Sequence, residues 1–202
     1  MIKYFFILSS LIVLLTSCSK ENNLSKPDEN EYGGETEEKF EIVNISFEGK
    51  SALIEEVIDV KPNITYSNKT NSMQKILIDP RPIYEKSTFI PNDRKNYTLV
   101  DSVKLISVPL QIDNSDISLG EKKWNYSVQE STSLTILNFK DSVNVAPKKY
   151  LSASLSVIYT KIKTPYTLTI KNIKNDDLIR INGIWTGVYP VRTESSINIS
   201  DL

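Results

Sequence analysis

The 202-residue chain carries 24 Lys and Arg against 25 Asp and Glu, for a net charge of −1, with no histidine and one cysteine. Near-neutral charge without a basic cluster argues against nucleic acid as a partner. The missing histidine removes the commonest general base, the commonest zinc ligand and any Ser-His-Asp triad, and a lone cysteine rules out an intrachain disulfide and a thiolate metal site.

In chain order, Lys3 precedes Tyr4 to Leu15, a nearly unbroken apolar run. A transmembrane helix needs about 20 such residues, so this run suits the apolar core of a secretory signal peptide better than a membrane span. The alternative, a buried N-terminal element, fits poorly with the long polar stretch that follows. Leu15-Thr16-Ser17-Cys18 resembles the bacterial lipobox. The resemblance implies that residues 1–17 are removed and that Cys18 carries a diacylglycerol and an N-terminal acyl chain, palmitate in kind. Several acyl chains give stable anchoring where one does not. The first expected partner is therefore the lipid bilayer, through acylated Cys18. Ser19-Lys20-Glu21 lacks the Asp that retains lipoproteins at an inner membrane, and Lys followed by an acid resembles the surface-export signal of lipoproteins of the Bacteroidetes group. The expected location is the outer membrane, lipid-anchored, with surface exposure. A plain charged tether is the alternative.

Residues 19–41 hold eight acids, three lysines, Pro27 and Gly33-Gly34, with few large apolar residues. Such a composition does not offset its ordering entropy, so 18–41 reads as a lipidated cysteine plus a disordered acidic tether. The remainder, 42–202, carries 20 basic and 17 acidic residues and suits one domain.

That body reads as β-rich throughout. Ala52 to Val60 fits a short helix or a strand alike. Residues 79–93, with Pro80, Pro82 and Pro91, read as a loop or an irregular edge. Trp124, Tyr126 and Val128 begin an alternating run that resumes at Leu134 and Ile136 across a polar middle. Leu151, Ala153, Leu155, Val157 and Tyr159 alternate with serines, as a strand with one dry and one wet face does. Tyr166, Leu168 and Ile170 form a third run, and Ile197 and Ile199 a fourth. Turn residues stand at Asp113-Asn114-Ser115-Asp116, Leu119-Gly120, Ala146-Pro147, Asn175-Asp176-Asp177 and Asn182-Gly183. The expected fold is all-β, an elongated antiparallel β domain, with a β-sandwich as one form of it.

No catalytic residue, cofactor or metal site is predicted. Ser72-Met-Gln-Lys75 matches S-x-x-K without the companion motifs that make this spacing catalytic. Two carboxylates suffice for a glycosidase, but sequence alone does not pair the acids of the body in space. Asp101-Ser102-Val103 and Asp141-Ser142-Val143 resemble the O-glycosylation acceptor of Bacteroidetes, which marks Ser102 and Ser142 as candidate modification sites.

Residues 105–200 resemble the β domain of the aerolysin superfamily in its epsilon-toxin/mosquitocidal-toxin branch. The likeness is carried in order by Asn114-Ser115-Asp116, the Ser/Thr-rich stretch Trp124 to Ile136, Val143-Asn144-Val145-Ala146-Pro147-Lys148, Pro165-Tyr166 and Gly183-Ile184-Trp185-Thr186-Gly187-Val188. The family's activity is pore formation by oligomers, each protomer giving one amphipathic hairpin to a membrane barrel. Barrel strands need about 9 to 11 residues, and between Trp124 and Val143 such a hairpin looks missing or very short. Trp185, Tyr166 and Tyr189 read as core aromatics before ligand-facing ones. The expected function is a non-catalytic binding or interaction module at the envelope, with an unknown protein or glycan ligand and oligomerisation left open. The alternatives are an aerolysin-type pore-forming effector and a glycan-active enzyme using two carboxylates.

Overall fold

The computed structural model describes residues 38–93, 95–100, 105–135 and 141–202. The leader, Cys18, nearly all of the acidic tether and Ser102 lie outside the described residues. Within the unit Glu37–Leu202, the described residues form twelve β-strands and no helix.

In chain order the strands are β1 (Lys39–Phe47), β2 (Leu53–Val60), β3 (Ile64–Asn68), β4 (Gln74–Ile78), β5 (Ile83–Pro91), β6 (Thr98–Leu99), β7 (Leu105–Asp113), β8 (Asp116–Asn125), β9 (Ser131–Thr135), β10 (Asp141–Val145), β11 (Lys149–Asn172) and β12 (Leu178–Asp201). Apart from the short parallel contact of β1 with β6, every pairing is antiparallel. The long hairpin of β11 and β12 is the spine, each strand 24 residues and so roughly 80 Å if straight, at about 3.3 Å per residue. The domain is therefore elongated. One edge of β11 is covered in series by β3, β2 and β1, and β12 continues through β5 to β9. Two separate ribbons, β4–β10 and β7–β8, complete the described structure.

The core changes sides along the spine. On β11 the odd residues Leu151, Ala153, Leu155 and Val157 are buried in the first half, and the even residues Ile162, Thr164, Tyr166, Leu168 and Ile170 in the second. Successive side chains of a strand point to opposite faces, so the two halves bury opposite faces of one sheet. The first packs with Ile78 and Val143 of the β4–β10 ribbon. The second packs with Phe40, Phe89, Ile106, Val108, Trp124 and Trp185. Strand β12 follows the change through a bulge: Ile158 faces Arg192 and Tyr159 faces Pro190, leaving Val191 over. One extra residue moves the odd set of β12 from one face to the other.

Several expectations are corrected here. The segment that fits helix and strand alike is a strand over Leu53–Val60, held by eight register pairs to β11. Residues 83–91 are not an irregular edge but an interior strand, paired on both sides, with Pro80 and Pro82 before it and Pro91 at its last position. The runs at 151–159 and 166–170 are one strand, and Pro165 does not break it. The Pro165 carbonyl accepts the Glu48 amide at 3.0 Å, at the gap where the neighbour of β11 changes from β2 to β1. A proline there removes no ladder donor. Likewise Gly183 and Ile197–Ile199 belong to a single β12, and Asn182-Gly183 is no turn. Leu119-Gly120 lies inside β8 beside a register shift, a bulge and not a turn. The run from Trp124 is broken, since β8 ends at Asn125 and β9 begins at Ser131 in another sheet. Finally, β1 starts inside the stretch read as tether, because Phe40 is buried in the core.

Three turn readings are found in place. Ala146-Pro147 leads into the turn at Pro147 and Lys148, the latter at φ 60°, between β10 and β11. Asp113 pairs with Asp116 around Asn114 and Ser115, both at positive φ (45° and 79°). That is the two-residue hairpin loop whose twist matches its strands. Asn175-Asp176-Asp177 closes the spine hairpin, with Asp176 at φ 61° and the Asn172 amide donating to the Asp177 carbonyl at 2.9 Å.

Candidate functional site

Beyond the end of β5 the chain turns back across the end of the core. The Asn92 amide donates to the Asn182 carbonyl at 2.8 Å, which holds the chain against β12 for one more residue. Asp93 then turns inward, and Tyr97 follows just before β6. From the other side, the break after β8 brings in Tyr126. The Phe89 amide donates to the Ser127 carbonyl at 3.0 Å and pins this break to β5.

Between these pieces lies a pocket of about 350 Å³. Asp93, Lys95, Asn96, Tyr97 and Tyr126 supply its polar groups, and Leu99, Leu168 and Ile181 its apolar wall. The volume falls in the range of small-molecule sites, which are mostly apolar with a few convergent polar groups. The tyrosines are held by their neighbours. Tyr97 meets Phe40 edge-on at 5.3 Å, and Tyr126 lies 5.0 Å from Phe89. The Tyr126 and Tyr166 hydroxyls are hydrogen-bonded at 3.0 Å.

The Asp93 carboxylate is poorly served. Its Oδ2 accepts a long bond of 3.3 Å from the Tyr97 hydroxyl. Its Oδ1 is buried and has no hydrogen-bond partner. A buried acceptor left without a donor costs about 1 to 3 kcal/mol, more when charged. The phenols register this surrounding. Burial raises the pKa of Tyr97, and the Asp93 charge raises it further. Burial also raises Tyr126, opposed by the Tyr166 hydroxyl and reinforced by Asp93. Tyr166 is pushed well above the ordinary phenol range, first by burial and then by its bond to Tyr126.

A second concavity holds charges that already have partners. The groove of about 500 Å³ between β2 and β5 is lined by Tyr84 and Tyr159, but its charges are paired as Lys61–Asp59 at 2.6 Å and Lys86–Glu130 at 2.9 Å. Among the described residues no group of three or more acids could hold a metal ion.

Of the residues singled out from sequence, Ser142 is exposed on β10 opposite Leu77. Cys18 and Ser102 lie outside the described residues. Ser72 sits in the turn before β4, its hydroxyl bonded by the Gln74 amide at 3.0 Å. Trp185, Tyr166 and Tyr189 are core residues, at 0%, 2% and 8% exposure. Sequence reasoning did not find Asp93, Tyr97 or Tyr126. Asp93 and Tyr97 stand in or beside a proline-rich stretch, and Tyr126 was hidden in an apparently continuous strand.

No protein-family profile matches the chain, and no curated protein does. Solved structures that it resembles include the lamprey immune protein, with a TM-score of 0.47 at 18% identity over 80% of this chain and 53% of that one. The aerolysin-like protein of Bombina maxima gives a TM-score of 0.44 at 12% identity over 81% of this chain and 99% of that one. The parasporin-2 toxin of Bacillus thuringiensis, described as recognising cancer cells, gives 0.37 at 13% identity over 80% and 74%. The chain thus spans about half of the lamprey protein. Likenesses this distant assign no activity.

Proposed function

We propose that this protein is a lipid-anchored binding module of the outer membrane. Acylated Cys18 holds it to the bilayer, the acidic segment spaces it from the surface, and the β domain presents the Asp93 pocket to a ligand. The observation that carries the binding role is the mostly apolar pocket of about 350 Å³ on which the Asp93, Tyr97 and Tyr126 side chains converge. Ser142, exposed on β10, fits O-glycosylation, as does Ser102; intact-protein mass from the native host, with each serine changed to alanine, checks both.

The binding role is tested on the full acylated chain in nonionic micelles, against a panel of sugars, amines, amino acids and carboxylates. Val128→Trp adds bulk at the pocket. Binding of a panel member that this variant abolishes supports the reading. Binding that the variant leaves unchanged, or none at all, defeats it. The anchor is tested by protease treatment of intact host cells, with Cys18→Ala as control. Digestion of the wild-type chain is expected, together with loss of the variant from the membrane fraction. Survival until the outer membrane is broken would put the domain in the periplasm.

A second reading, pore formation, rests on the β7–β8 ribbon. Among the described residues, the strands that follow Trp124 before β11 are the five-residue β9 and β10, whereas this ribbon upstream has strands of 9 and 10 residues, the length that spans a bilayer. Ile106, Val108 and Trp124 face the core, while Ser107, Gln111 and Lys123 stand among its polar positions. The Trp124 indole nitrogen is buried without a partner, so the ribbon is not fully satisfied where it lies. Its tip is seated on Gly49, where a Cβ would come within 2.0 Å of the Ser115 carbonyl oxygen. Dye release from liposomes decides: a binding module leaves the vesicles intact, and release that rises in Gly49→Ala would bring the pore reading forward.

A further inference from the structure

We infer that the groove between β2 and β5 is a second binding site, for a short neutral saccharide. It shares no lining residue with the Asp93 pocket, so each site holds or fails by itself.

The groove exists because the core changes sides. On β11, Val157 and Tyr159 are the last buried odd residues, packed with Ile83 of β5 and Val188 of β12. Beyond them the odd residues are Lys161 and Lys163, neither of them buried, and this face of the sheet lies open. Tyr159 and Val188 thus give a floor fixed by packing, under a groove of about 500 Å³, within the range of small-molecule sites. Tyr84 stands in the lining and is 41% exposed, so its ring is within reach of a ligand. The face of an aromatic ring is negative. The C–H bonds on one face of a sugar ring carry the opposite partial charge, so the two stack. The rims supply hydrogen bonds. Asp59 and Lys61 stand on one, joined at 2.6 Å, and Lys86 and Glu130 on the other, joined at 2.9 Å. These four side chains keep 22% to 50% of their surface exposed. Lys161, the remaining charge of the lining among the described residues, is held by Glu55 at 3.6 Å. An ammonium has three hydrogens and a carboxylate about four acceptor positions, so each pair keeps donors and acceptors beyond the bond it makes. A hydroxyl both donates and accepts, and fits beside such a pair without breaking it. A charged ligand does not: drawn to one member, it is repelled by the other close by. The molecule that meets floor, ring and rims together carries many hydroxyls, one flat apolar face and no charge, which describes a saccharide ring.

The test uses the full acylated chain in polyoxyethylene micelles, which carry no sugar. The neutral probes are cellobiose, maltose, lactose and N,N′-diacetylchitobiose. Their charged counterparts are cellobiouronate, an anion, and chitobiose as its diammonium, which keep the sugar skeleton and change its charge. Each is titrated calorimetrically into wild type, Tyr84→Ala, Tyr84→Phe, Lys86→Met and Val128→Trp. Melting temperatures report whether each variant folds, and Lys86→Met decides if Tyr84→Ala does not.

The expected result is that a neutral disaccharide binds at least tenfold more tightly than either charged counterpart. Tyr84→Ala should weaken it at least tenfold, while Tyr84→Phe should keep most of the affinity, because the ring remains. Lys86→Met leaves Glu130 without its ammonium, so it should weaken the neutral sugar and strengthen diammonium chitobiose. A variant that merely loosened the fold would weaken both. Val128→Trp, at the other site, should change none of this. No binding of any neutral disaccharide, equal binding of the charged forms, or sugar binding indifferent to Tyr84→Ala and Lys86→Met overturns the inference. Sugar binding that Val128→Trp abolishes and Tyr84→Ala leaves intact belongs to the Asp93 pocket, so the groove fails while the reading above stands. Sugar binding that follows the expected pattern in the groove, with no compound of the wider panel lost in Val128→Trp, has the opposite meaning: the groove stands and the pocket falls.

Discussion

At Gly183 the backbone of β12 passes so close to its neighbours that a Cβ would lie 2.4 Å from the Ile90 carbonyl oxygen and 2.6 Å from the Tyr166 ring. Four positions on, a Cβ on Gly187 would lie 2.3 Å from the Trp185 ring. No glycine among the described residues has positive φ, so the requirement is for space and not for an unusual backbone. Glycine alternates with Trp185 and Tyr189 along one face, and each gap receives an aromatic ring. Trp185 then finds a partner for its indole nitrogen in the Ser87 hydroxyl at 3.0 Å. The Gly-x-Trp-x-Gly pattern was legible in the sequence, but its reason was not, because the ring filling the Gly183 gap comes from another strand. Gly183→Ala is expected to cost about 1 to 3 kcal/mol, the usual range for overpacking a core. It should also displace Tyr166 and with it the Tyr126 hydroxyl at the pocket. Chemical denaturation gives the first effect and tyrosine fluorescence the second. A variant as stable as wild type would show that the strand yields without strain.

Strand composition was legible nearly everywhere, while strand extent was not. The sequence shows odd apolar positions from Leu151 to Tyr159 and even ones from Tyr166 to Ile170, and a change of parity beside Pro165 looks like a chain break. It records instead that packing moves from one face of a continuous strand to the other. Nothing local reveals this, because the covering elements, β4–β10 and β7–β8, are distant in sequence. The β4–β10 ribbon shows how such a cover is secured. Asn68 is fully buried. Its Nδ2 donates to the Ser72 and Val145 carbonyls, both at 2.8 Å, and its Oδ1 accepts the Thr70 amide at 3.1 Å and the Thr70 hydroxyl at 2.7 Å. One side chain therefore ties the turn before β4 to the end of β10. Asn68→Ala leaves the Val145 carbonyl and the Thr70 amide without these partners, at a cost on the order of 2 kcal/mol or more. Hydrogen exchange should show 74–78 and 141–145 losing protection while 166–172 and 178–188 keep theirs. Uniform loss would mean that the ribbon and the spine unfold as one unit.

For the whole molecule, the distribution of titrating groups sets how stability depends on pH. There is no histidine, so no side chain carries an ordinary pKa between about 5 and 8. The groups that fold-burial perturbs most are phenols. Tyr97, Tyr126, Tyr159, Tyr166 and Tyr189 are all raised above the ordinary value, in each case chiefly by burial. Tyr189 also donates its hydroxyl to the Pro109 carbonyl at 3.1 Å, and so joins the β7–β8 ribbon to the spine as a proton donor. The sign of the effect follows from proton counts. Below about pH 10 both folded and unfolded chains keep these protons, and the contribution to stability is complete. As pH rises past about 10 the unfolded chain releases them while the folded one does not. The unfolded state then binds fewer protons, and stability declines until the folded pKa values are passed. Denaturation midpoints should therefore be flat from about pH 6 to 9 and fall steeply above about 10. The near-ultraviolet absorbance of these tyrosinates should appear together with loss of β-sheet circular dichroism. If they ionised while the sheet stayed intact, water would have to reach Tyr166 and Tyr189 in the folded state. The tight packing around Gly183 and Trp185 would then not describe the protein in solution.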